Sequence, residues 1–192
     1  MNEIDKVRLA LLPVLIERSS AGCIGRTALM KYMYFLQTLR SLPLGYSFSM
    51  YSYGPFDSAV LSDLTSAEVL GIVETSPVQF SGGYGYRIKT GAQAASAKKN
   101  AASFLAKHEN DIEWLFSTFG PLNSAELELT STIVYVDQEF ADSHEQLSMS
   151  QMATRLQEIK PHFGREKVDG FVETLLERNI LKATVRAVGR PC

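Results

Sequence analysis

The stretch from residue 46 to residue 89 constrains the fold most, because its hydrophobic period changes twice within it. Tyr46, Phe48 and Met50 alternate with Ser47, Ser49 and Tyr51, the period-two pattern of a half-buried strand. Gly54-Pro55 ends that strand, since proline donates nothing to a ladder and glycine permits the turn. Asp57 suits a helix N-cap, and Phe56 and Leu61 are spaced as a hydrophobic staple. Val60, Leu61, Leu64 and Ala67 then share an inward face, and Gly71 supplies a left-handed stop. Ile72-Val73 and Val78-Phe80, the turn Ser81-Gly82-Gly83, and alternating Tyr84, Tyr86 and Ile88 read as a hairpin. Strand, helix and two-stranded wing in that order predict a winged helix. The expected fold class is therefore α+β, mostly α. Residues 1–90 form a winged helix-turn-helix-like domain; residues 91–192 form a long connecting helix and a C-terminal helical, helix-turn-helix-like unit packed as one globule.

The flanking segments carry helix signals. A first helix is expected over residues 2–18, capped by Asn2 and kinked or broken at Pro13. A second, over residues 26–39, is apolar on so many sides that it must be central, with Lys31 expected to snorkel along it to solvent. Thr90 and Gln93 have capping-box spacing, and an unbroken amphipathic stripe follows from Ala94 to Phe119, ended by Gly120-Pro121. His108 on that stripe reads as a satisfied core histidine with no acid beside it, and Trp114 lies off the stripe, at a seam or a partner. Asn123 with Glu126, and Ser148 with Gln151, open two further helices; Glu126, Glu128, Asp137 and Glu139 are expected on the outer face of the first. Val168, Val172 and Leu175, followed by Asn179-Ile180, repeat the spacing of Val60, Leu64 and Ala67 before Gly71-Ile72. A second helix-turn-helix-like unit without a full wing follows from that repeat.

Charge is segregated although the net is only −2. Residues 18–56 hold four bases and no acid, and residues 57–74 four acids and no base. Residues 75–108 hold five bases and no acid, and residues 109–145 nine acids and no base. Such blocks either pair within the fold or face a charged partner. No apolar run approaches a bilayer span, and the first residues lack a basic region followed by an apolar core. Two well-separated cysteines, Cys23 and Cys192, suggest no disulfide framework, so a cytoplasmic location is expected.

No reactive centre assembles from the sequence. Gly82-Gly83-Tyr84-Gly85 lacks the lysine and the helix of a phosphate loop, and His144-Glu145 lacks the second histidine of a zinc helix. Glu158 and Lys160 mimic half of a nuclease pair but fall at a helix end. No catalytic residue, metal or cofactor is expected. For nucleic acid, the helix after the turn shows Asp57, Asp63 and Glu68 among serines and threonines, which disfavours groove insertion. Gln79, Arg87, Lys89, Lys98 and Lys99 instead outline a basic wing.

Lys31, Tyr34 and Gln37, then Gly45-Tyr46 and Phe48, then Tyr53-Gly54-Pro55-Phe56-Asp57-Ser58, Leu64 and Gly71-Ile72-Val73 resemble the YwgA family. More distantly, they resemble the SocA-like (Panacea) antitoxin domain. Glu126-Leu127-Glu128-Leu129, Lys160-Pro161 with Phe163, and residues 176–181 fit the same pattern, so the likeness covers most of the chain. It implies a non-catalytic partner of a toxin or effector protein. The expectation is thus an antitoxin-like or defence-accessory interaction module using Tyr51, Tyr53, Pro55, Phe56, Ser58 and Ser62. The rival is a DNA-binding regulator using the basic wing, dimeric through the long helix.

Overall fold

A computed structural model describes residues 2–80 and 83–185. The fold is mixed α+β and mostly helical, as expected, and it divides into two compact units. The first comprises residues 1–49 and 56–127, the second residues 50–55 and 128–192. This division differs from the expected one at residue 90, because residues 91–127 group with the first unit.

In the first unit, α1 (Glu3–Arg18) opens with a complete Asn2–Asp5 capping box and runs through the buried Pro13 without breaking. α2 (Arg26–Arg40) is the central helix, with its residues from Leu29 to Leu36 all buried. Its aromatic side meets α6 (Glu109–Phe119): Phe35 stacks on Phe119 at 4.1 Å, and Tyr32 lies 5.2 Å from Phe116. Lys31, expected to reach solvent, is 2% exposed, because both sides of α2 are covered.

α3 (Ser58–Val69) is capped by the Asp57 carboxylate and buries Val60, Leu64 and Ala67. Gly71, at φ 68°, closes it, with the Ile72 amide donating to Ala67 O at 2.8 Å. β3 (Val73–Phe80) and β4 (Gly83–Thr90) pair antiparallel, from Val73 opposite Thr90 to Phe80 opposite Gly83. Ser81 and Gly82 of the expected turn lie outside the described residues. Ile24 bridges Ile88 antiparallel, which adds a third short segment at the root of this ribbon.

Three sequence expectations are corrected here. Residues 46–48 form no strand; only β1 (Ser49–Tyr51) and β2 (Gly54–Phe56) are extended and paired, so Gly54-Pro55 belongs to a strand instead of ending one. Side chains have taken the backbone groups that a strand would use. Arg8 donates to the carbonyls of Leu44 and Gly45, and Gln37 both donates to and accepts from the Tyr46 backbone at 2.8 Å. The Asp57 carboxylate accepts from the Ser47 amide. Next, the stripe after Ala94 is three helices, α4 (Ala94–Asn100), α5 (Ala102–Lys107) and α6, with Ala101 and His108 out of helical geometry between them. His108 marks the second break, and its Nδ1 sits 2.8 Å from Asp111 Oδ2, an acid three residues ahead where none was expected. Finally, Gln93, not Thr90, is the cap position of α4, since β4 extends through Thr90.

In the second unit, α7 (Ser124–Asp142) enters from the first unit, its start closed by the expected Asn123–Glu126 capping box. α8 (Met149–Ile159) has the expected Ser148–Gln151 box, and α9 (Arg165–Glu177) buries Val168, Val172 and Leu175. Asn179, at φ 54°, ends α9 as Gly71 ends α3, with the Ile180 amide donating to Leu175 O at 3.0 Å. β5 (Leu147–Ser148) pairs parallel with β6 (Thr184–Val185). The tail with Arg186, Arg190 and Cys192 lies outside the described residues.

Candidate functional site

The turn between β1 and β2 presents Tyr51 and Tyr53, 64% and 70% exposed. Gly54, at φ 84°, permits the reversal, and Gly54 and Pro55 are buried behind the rings. Within the second unit the turn is fastened by Lys160. Its ammonium donates to the Ser52 carbonyl and to Glu128 Oε1 (2.6 Å), and it lies 6.0 Å from the centre of the Tyr53 ring. Lys160 and Glu128 are both buried, and the half-exposed His162 brings its Nε2 to 3.7 Å from the same Glu128 oxygen. A buried ammonium with a carboxylate and a carbonyl is satisfied electrostatically and geometrically. The chemistry is that of a clamp: the lysine is committed to holding backbone, and Glu158, its expected nuclease-like neighbour, instead pairs with Arg155 at 3.1 Å on the surface.

Two acids expected on the outer face of α7 are therefore buried. Glu128 serves Lys160, and the Asp137 carboxylate accepts from the amides of Lys182, Ala183 and Thr184 at 2.6, 3.1 and 2.7 Å, fixing the start of β6. Helical spacing alone carried no sign of this; Lys160 and the stretch from Lys182 to Thr184, which supply the partners, lie far along the chain.

The other sequence-predicted residues fall in the first unit. Ser58 and Ser62 are exposed on α3, and Phe56 is half-buried. The hydroxyls of Ser62, Thr65 and Ser66 donate to carbonyls four residues back, so the outward face of α3 is short and polar. Two of the acids expected to decorate it are turned into the fold. Asp57 caps the helix, and Asp63 accepts from the buried Tyr46 hydroxyl at 2.7 Å, beneath an Arg8 guanidinium 4.1 Å from the Tyr46 ring. Burial pushes the Asp63 carboxyl up, against the opposing pull of Tyr46 and Arg8, and burial and the Asp63 charge push the Tyr46 phenol well above its usual range.

On the ribbon, register sets the faces. Val73, Thr75, Pro77 and Gln79 share one face with Tyr84, Tyr86 and Ile88, whereas Arg87 and Lys89 project from the other. Gln79, Arg87, Lys89 and Lys99 are exposed, but Gln79 is thus on the opposite face from the two bases, and Lys98 is taken up by Glu17 at 2.6 Å. The charge blocks pair in the same way: Arg18 with Glu109, and Arg40 with Asp111 at 2.7 Å. Trp114 lies under Arg40, its ring centre 4.9 Å from the guanidinium, and Phe119 meets it edge-on at 5.5 Å.

Among the described residues, no three of His, Cys, Asp and Glu gather to hold a metal ion, and no helix is long and apolar enough to cross a membrane. An open depression of about 350 Å³ in the second unit is lined by Phe140, Leu147, Ser150, Gln151, Thr154, Arg155 and Glu158. No protein-family model and no curated protein matches the chain, and its function is read from the geometry above.

Proposed function

We propose that the chain is a non-catalytic interaction module that binds a partner protein through the Tyr51–Tyr53 turn. The observation that carries this is the pairing of two largely exposed tyrosines with a buried clamp behind them. Aromatic side chains on a pre-ordered turn bury large area at little entropic cost, which is how binding hot spots are built. An antitoxin-like or defence-accessory role in the cytoplasm follows from the resemblance to the antitoxin domain and belongs to the same proposal.

The first unit is read as a winged helix. Support comes from element order: α1, the Ile24 segment, α2, α3, then the β3–β4 ribbon, with Ile24 paired to the returning strand. The second unit is read as a helix-turn-helix without a full wing, α8 and α9 matching α2 and α3 and ending in the same left-handed stop. The product of a neighbouring gene, co-expressed with this chain, forms a complex that survives size-exclusion chromatography. Replacing Tyr51 and Tyr53 together with alanine weakens it by about 2 kcal/mol or more, roughly thirtyfold. A complex indifferent to both changes would remove the turn from the interface.

A second reading, duplex-DNA binding through Arg87, Lys89 and Lys99, is favoured by one finding. With Asp57 and Asp63 turned inward, α3 repels phosphate less than its sequence suggests. A salt-dependent duplex shift, lost on changing Arg87 and Lys89 to Glu, is its test.

A further inference from the structure

We propose that the tyrosine face of the β3–β4 ribbon is a stacking platform for single-stranded nucleic acid, independent of the Tyr51–Tyr53 turn. Tyr84 is 82% exposed and Tyr86 43%, both on the face that the register assigns to Gln79 and Pro77. At the root of the ribbon this face is core, closed by Val73 and Ile88. Beyond Ile88 it presents aromatic rings where a solvent-facing ribbon ordinarily carries polar side chains. The antiparallel bridge from Ile24 to Ile88 puts Arg26 in the row of Tyr86, and its guanidinium lies 3.5 Å from the centre of that ring. Arg26 makes no ion pair among the described residues, and its buried Nε has no hydrogen-bond partner. A cation already stacked on an aromatic ring and free of any carboxylate is equipped to meet a phosphate.

Ring geometry selects the occupant. Residues two apart on a strand stand about 6.6 Å apart, so a base stacked on the open Tyr84 ring stands clear of Tyr86, whose ring already carries Arg26. A duplex hides its base faces within its own stack and offers the rings nothing, whereas an unpaired strand exposes them. Gln79, beside Tyr84 in register, adds a donor and acceptor for a base edge. Arg87 and Lys89 on the opposite face also stand outside any ion pair among the described residues, and they give the ribbon a positive field. Glu74, opposite Lys89, is the single acid on the two strands.

The test is fluorescence anisotropy of the full chain with labelled oligo(dT), oligo(U) and a duplex, each of about 15 nucleotides, starting near 50 mM salt. Both single strands bind more tightly than the duplex. Tyr84→Ala weakens them about tenfold while Tyr84→Phe does not, since stacking needs the ring and not the hydroxyl. With Arg26 engaged directly and Arg87 and Lys89 acting from the opposite face, log K falls against log salt with a slope between about −0.7 and about −2. Lack of single-strand binding at low salt, equal binding by Tyr84→Ala, or tighter binding of the duplex would each overturn the proposal. None of these outcomes bears on complex formation through Tyr51 and Tyr53, which is scored separately.

Discussion

Lys160 shows how little of a side chain's role is written at its own position. In sequence it stands at a helix end before Pro161, beside the exposed Glu158. In the fold it is buried, bound to Glu128 and to the Ser52 carbonyl. Removing the ammonium leaves a buried carboxylate uncompensated, so Lys160→Met is expected to cost about 3–5 kcal/mol in urea unfolding. Adding Glu128→Gln recovers part of that loss, a coupling that a double-mutant cycle measures. Tyr46 supplies a pH signature. Its phenol is held well above 10 by burial and by Asp63, so the folded chain keeps a proton that the unfolded chain releases above pH 10. Stability is therefore whole below pH 10 and declines as the pH climbs beyond it. Tyr46→Phe is expected to flatten that decline between about pH 9 and pH 11, read from urea midpoints across the range. Of these residues, Tyr46 and Gln37 were visible as members of a pattern, but the pattern gave no hint that the Gln37 side chain bonds to the Tyr46 backbone.

Elements were far more legible than residues wherever one capping group decides them. Asn2, Asp57, Asn123 and Ser148 all cap the helices they were expected to cap, because a side-chain oxygen two or three residues before the amide it satisfies is a purely local fact. The left-handed stops at Gly71 and Asn179 were legible for the same reason. The breaks at Ala101 and His108 were not, since the apolar stripe keeps its period through both and neither glycine nor proline marks them. Residues 46–48 failed as a strand because alternation reports half-burial and not the identity of the hydrogen-bond partner. Two glycines separate close packing from mere flexibility. A Cβ on Gly91 would lie 2.4 Å from the Gly71 carbonyl oxygen, where the β3–β4 ribbon returns to the end of α3, so Gly91→Ala is expected to cost about 1–3 kcal/mol. Gly170 sits exposed within α9 with nothing near its missing Cβ, and Gly170→Ala is expected to stabilise by about 0.5–1 kcal/mol. Denaturation midpoints of the two variants, moving in opposite directions, check the pair.

At the scale of the whole molecule, the segregated charge resolves only in part into internal pairing. Arg18 and Arg40 meet the acidic block at Glu109 and Asp111, and Lys98 meets Glu17. These pairs are partly exposed and worth about 0–1 kcal/mol each, so raising salt from about 0.05 to about 0.5 M should change the unfolding free energy by less than about 2 kcal/mol. A larger loss would mean that the blocks act as a cooperative network. The order of helices and hairpin in the first unit was legible because each of its signals is local. The division of the chain was not, because residues 91–127 group with the first unit and the six residues 50–55, early in the sequence, group with the second.

That ownership has a consequence for biosynthesis. The lysine that fastens the tyrosine turn follows it by 108 residues, which at about 5–20 residues per second leaves the turn unclamped on the ribosome for about 5–20 s. A partner that requires the clamped turn can bind only after Lys160 has been made, and a product truncated before Lys160 lacks the clamp.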